Sequence, residues 1–153
     1  MKKLFLPIIA SLALFMTSCI GGDVYETTTG SDLELITTTI TVNPNQWYVD
    51  GTPGQEGTTL VSEWTVRDLD QSVKTYGMVQ VSHYFYDNRN NYVEHPLPYM
   101  LPYAGNPSNV LENVRCYIEY DKHAITFVIE SSDFQCYPRD EPYMFKISIL
   151  KPR

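Results

Sequence analysis

The sequence predicts an all-β fold, an antiparallel β-sandwich or partly open barrel of about seven strands with at most one short helix. Three observations predict it. Runs of β-branched and aromatic residues alternate with polar ones in period two, the mark of strands with one buried face. Clusters of Gly, Pro, Asn and Asp separate these runs at short intervals. A single stretch, near residues 68–77, carries helical signals.

The strand pattern begins at Leu33, where Ile36, Thr38, Ile40 and Val42 alternate with Thr37, Thr39 and Thr41; Asn43-Pro44-Asn45 ends the run. Trp47 and Tyr48 start a short extended piece, and Asp50-Gly51-Thr52-Pro53-Gly54 has turn chemistry. Residues 58–66 alternate again, with Leu60, Trp64 and Val66 on one side and Glu63 and Thr65 on the other. Asp68 is then a candidate helix cap, with Gln71 three residues on as in a capping box. Leu69, Val73 and Tyr76 share a face, and Gly77 suits the residue after the last turn.

Residues 78–87 form the strongest strand signal: Val79, Val81, His83 and Phe85 face one way, Gln80, Ser82, Tyr84 and Tyr86 the other. Residues 87–91 read as a turn. Pro96, Pro98 and Pro102 exclude residues 92–103 from a central strand, leaving an edge strand or an ordered loop. Residues 113–130 read as a hairpin. A two-residue turn at Asp121-Lys122, or a four-residue loop, puts Ile118 opposite Ile125 and Cys116 opposite Phe127, burying both apolar sets together. Residues 143–150 make the last strand, with Tyr143, Phe145, Ile147 and Ile149 on one face.

Ahead of this domain, Lys2 and Lys3 form a positive head and residues 4–15 are almost wholly apolar. Head, apolar run and small residues are the parts of a secretory signal. The run falls short of the roughly 20 residues a membrane span needs. Met16-Thr17-Ser18-Cys19 resembles the lipobox of bacterial lipoproteins, with Met16 where Leu is usual. The resemblance implies lipidation of Cys19, which would become the new N-terminus; an ordinary signal with a free Cys19 thiol is the other reading. The expected organisation is therefore a signal over residues 1–18, a lipidated Cys19 with a flexible tether over 19–32, and one domain over 33–153. Several acyl chains on one residue anchor stably where one alone does not. The tether, if fully extended, reaches about 45 Å.

Of 153 residues, 135 remain after such cleavage, a single-domain length. The chain carries 11 basic and 18 acidic residues; Lys2 and Lys3 leave with the signal, so 9 face 18 and the domain carries a net charge of −9. Phosphate-backbone binding needs a basic stripe, so no nucleic-acid partner is expected. An anionic lipid surface would repel the domain, which makes the acyl group the membrane contact. If Cys19 is lipidated, Cys116 and Cys136 remain as an even pair in an exported chain. A disulfide between them would close a loop of about 20 residues and add on the order of 3 kcal/mol; two buried free thiols are the alternative.

The layout is similar to that of small β-rich lipoproteins of the Bacteroidetes outer membrane. The residues that carry the likeness are Ser18-Cys19, Trp47, Gly77-Met78-Val79, Leu101-Pro102-Tyr103 and Phe145-Lys146-Ile147. It implies a cell-envelope location, lipid-anchored at the outer membrane on its periplasmic or surface side, and a β-sandwich.

The sequence holds no Gly-x-Ser-x-Gly elbow, His-Glu-x-x-His, Cys-x-x-Cys or dinucleotide fingerprint, so no cofactor, metal or catalytic residue is expected. His83 reads as a core histidine, and His95 and His123 as loop or turn residues. The positive feature is tyrosine, 12 residues in all. Tyr84, Tyr86, Tyr92, Tyr99 and Tyr103 crowd one region beside Asn88, Asn90 and Asn91. Flat aromatic faces with polar tips suit sugar rings or a protein partner; the other reading is that half of the tyrosines pack the sandwich and the rest cover it. The expected function is thus a non-catalytic binding or accessory module for a glycan or an outer-membrane protein, with these tyrosines as its surface. A structural subunit assembling through the strand over residues 143–150 is the alternative. A hydrolase using two carboxylates is the third reading.

Overall fold

The computed structural model describes residues 32–103 and 109–153. The signal, Cys19 and the tether up to residue 31 lie outside the described residues. Among the described residues, nine strands form two antiparallel sheets. In chain order they are β1 (Leu33–Val42), β2 (Tyr48–Asp50), β3 (Thr59–Thr65), β4 (Met78–Tyr86), β5 (Tyr92–Pro96), β6 (Tyr99–Pro102), β7 (Leu111–Glu119), β8 (Ala124–Ser131) and β9 (Tyr143–Pro152), with one helix, α1 (Gln71–Tyr76), between β3 and β4. One sheet has the order β1-β9-β4-β5, the other β2-β3-β8-β7-β6. The fold is the expected β-sandwich, without barrel closure.

Period-two alternation places the core. Ile40, Val42, Val81, Phe145, Ile147 and Ile149 from the first sheet meet Leu60, Val114, Ile125, Phe127 and Ile129 from the second, all buried. Phe127 and Phe145 stack across the interlayer at 3.8 Å between ring centroids. Burying such a side chain stabilises by about 1.5–3 kcal/mol relative to exposing it. In the β7–β8 hairpin, Cys116 lies opposite Phe127 and Ile118 opposite Ile125, the expected register. The turn is the four-residue version: Tyr120–Lys122 form one 3-10 turn and His123 closes it in the left-handed region, φ 52°.

The structure corrects five expectations. Asp70, not Asp68, caps α1, accepting from the backbone N–H groups of Ser72 and Val73; Asp68 instead faces Lys151 at 3.4 Å. Leu69 and Val73 are buried as expected, but Tyr76 is 74 % exposed. The proline-rich stretch is two edge strands rather than one, because the chain crosses from the first sheet (β5) to the second (β6) at Leu97-Pro98. Cys116 and Cys136 are free thiols. Each is taken up by the apolar core rather than by the other, and burial pushes the Cys116 thiol up to about 11. Finally, β9 is no free terminal strand. It lies between β1 and β4 with its ladders engaged on both sides, so it offers no edge to a neighbouring molecule.

Candidate tyrosine surface

The five tyrosines divide between two places. Tyr84, Tyr86 and Tyr92 share the outer face of the β4–β5 ribbon, because even-numbered residues of β4 point away from the core and the register sets Tyr86 opposite Tyr92. Tyr84 and Tyr92 stack at 5.5 Å, and Tyr86 meets Tyr92 edge-on at 5.9 Å. Tyr86 is 57 % and Tyr92 49 % exposed. Rings held against one another lose little freedom when a ligand arrives, which lowers the cost of binding.

Beside the rings lies a polar pair that sequence reading missed. The Tyr92 hydroxyl donates to Glu94 Oε2 at 2.6 Å, and Lys146 Nζ donates to the same oxygen at 2.9 Å. Glu94 stands opposite Tyr84, and Lys146 reaches it from the outer face of β9. Burial by itself would raise the Glu94 carboxyl. Hydrogen bonds from Tyr92, Lys146 and Ser82 outweigh that effect and hold it below the usual range. Burial first, and then the bond to Glu94, push the Tyr92 phenol well above its ordinary value. Glu94 therefore stays an acceptor and Tyr92 a neutral donor at neutral pH. The chemistry this arrangement offers is hydrogen bonding and stacking.

Tyr99 and Tyr103 are elsewhere: odd-numbered residues face inward in both β5 and β6, so His95 lies opposite the buried His83, and Leu97, Tyr99 and Leu101 pack against the core. Tyr99 packs against the core and shares a short hydrogen bond with His83 Nδ1. His83 is 7 % exposed, and it stacks on Tyr99 at 5.7 Å and on Tyr143 at 4.8 Å. Burial, with a smaller contribution from His95, lowers its pKa to about 4, so the ring is neutral. Tyr103 stacks on Tyr137 at 4.5 Å. The Arg139 guanidinium lies over both Tyr103 and Tyr143, at 5.8 and 5.6 Å. The expected five-residue surface is thus a three-residue surface plus an internal ladder of aromatic rings.

Arg139 also closes a buried ion pair with Glu112 at 2.5 Å, their side chains 5 % and 1 % exposed. The pair pins the loop between β8 and β9 to β7, beneath a cleft of about 310 Å³ whose walls include Leu101, Tyr103 and Tyr143. Two guanidinium nitrogens are spent on Glu112 and both ring partners already cover the cation, so this cluster serves as a clamp. The turn expected at residues 87–91 is built on Asp87, which accepts from the backbone N–H groups of Arg89 and Asn91, both at 2.8 Å. Its carboxylate serves its own loop. Among the described residues, no three His, Cys, Asp or Glu side chains gather as a metal site. Comparison of the chain with protein-family models, curated proteins and solved structures finds no match.

Proposed function

We propose that the chain is an envelope lipoprotein, tethered to the outer membrane through Cys19, whose β-sandwich is a non-catalytic module that captures a glycan on Tyr84, Tyr86 and Tyr92. The observation that carries this reading is an exposed, mutually braced aromatic trio beside the Glu94–Lys146 pair. Sugar rings present C–H faces that lie on aromatic planes and hydroxyls that need both donors and acceptors. The trio supplies the planes, Glu94 accepts and Lys146 donates. An outer-membrane protein partner is the alternative occupant of the same surface.

Affinity electrophoresis of the protein through gels containing a panel of polysaccharides tests it. Retardation by one glycan, lost in Tyr86→Ala with Tyr92→Ala, supports capture through this face. Free migration across the panel, together with cross-linking of the wild-type protein to an envelope protein through the same residues, would transfer the surface to a protein partner. The anchor has its own test: labelled palmitate should enter the wild-type chain and not a Cys19→Ala variant.

A further inference from the structure

The four outer strands of the two sheets are not equally guarded. The backbone of an edge strand is a template for further pairing, and stable proteins blunt such edges with short length, proline or charge. β2 has three residues. β6 has four, ending in Pro102, and β5 has five, with Glu94 and Pro96. β1 has ten, without proline, lysine or arginine, and with Glu34 as its one charge. From Glu34 to Val42 its outer side pairs with no strand among the described residues. A groove of about 450 Å³ runs beside it, with Thr38–Thr41 on one lip and Trp64–Asp68 on the other.

We propose that β1 pairs antiparallel with β1 of a second copy, joining two four-stranded sheets into one of eight strands. The sequence of the edge selects that partner. Residues 36–40 read Ile-Thr-Thr-Thr-Ile, a palindrome centred on Thr38. A two-fold interface must set residue i against j and j against i. Centred on Thr38, the pairing sets Ile36 against the second copy's Ile40 and Thr37 against the second copy's Thr39. Like-with-like β-branched pairs of this kind stabilise a sheet. The inward and outward faces are preserved, so Ile36, Thr38 and Ile40 of both copies continue the buried face along the groove. The register also answers the charge problem of an acidic chain. Glu34 falls opposite Val42, and the two Glu34 carboxylates stand about 27 Å apart along the ribbon.

The test is light scattering and cross-linking of the full chain in detergent. The wild type should be a dimer. Thr37→Lys with Thr39→Lys puts four ammonium groups across the dyad on exposed positions and should weaken the dimer by at least about tenfold. Thr37→Ser with Thr39→Ser should keep it, and both variants should melt as the wild type does, which separates lost pairing from lost folding. Thr38→Cys should give a dimer reducible by dithiothreitol on mild oxidation with copper phenanthroline, since directly opposed residues lie within disulfide reach. A monomeric wild type overturns the proposal. So does a dimer unchanged by the paired lysines, which would place the interface elsewhere. So does a monomer that dimerises only when residues 20–31 are removed, which would give the edge to the chain's own tether. A dimer that Thr38→Cys fails to lock overturns the register.

Discussion

His83 couples the core to acidity. Its folded-state pKa of about 4 lies below the ordinary 6.5 because burial disfavours the charged ring. Between those values the unfolded chain binds a proton that the folded chain refuses, so stability is fully present above pH 6.5 and falls as pH drops toward 4. The shift corresponds to roughly 3 kcal/mol at most. Urea midpoints of the wild type should decline across this window, and a His83→Phe variant should lose most of that decline. The Glu112–Arg139 pair makes a second residue-scale prediction. Arg139→Ala leaves a carboxylate buried without its partner and should cost about 3–5 kcal/mol, whereas Arg139→Met with Glu112→Leu should cost far less. Chemical denaturation of the three proteins decides it. His83 was legible as a core residue because it alternates with Val79 and Val81. The ion pair was not: Arg139 sits in a polar, turn-rich loop, and its partner is 27 residues earlier, so only the folded chain brings them together.

Helix α1 shows how an element can be foreseen for a partly mistaken reason. Gly77 was expected for left-handed freedom after the last turn, yet it is extended, with φ −103° and ψ −175°. Its absent side chain matters for space instead. A Cβ there would meet the Leu150 carbonyl oxygen at 2.6 Å and the Val73 Cα at 2.8 Å, both backbone. Gly77→Ala should therefore push α1 off β9 and cost about 1–3 kcal/mol, as overpacking does; a melting curve unchanged from wild type would contradict this. The β7–β8 register was readable because face matching allows only even loop lengths there. Strand order was not readable, since alternation names a strand's buried face but not its neighbours. Residues 92–103 illustrate the same limit: three prolines announced an edge, but not that the edge belongs to two sheets. Tyr99 left the expected surface because it falls on the odd-numbered, core-facing side of this stretch while Tyr92 falls on the outer side, and Tyr103 packs on Tyr137.

For the molecule as a whole, the proposed glycan surface sits on the outer face of one sheet, away from the core. Tyr86→Ala with Tyr92→Ala removes exposed rings that the core does not need. Losing two ring contacts and the Tyr92–Glu94 hydrogen bond should cost on the order of 1–2 kcal/mol, leaving the protein folded while abolishing glycan retardation, a separation that thermal melting and affinity electrophoresis of one preparation would show. The position of β9 has a consequence of another kind, in the order of events during biogenesis. Leu33 pairs with Pro152 and Met78 with Leu150, so the first sheet joins the two ends of the domain. Until residues 143–152 are free to pair, β1 and β4 have no strand to hold them together. Closure over such sequence separations is slow. The first sheet thus closes in a single late step, once residues 143–152 are free to pair.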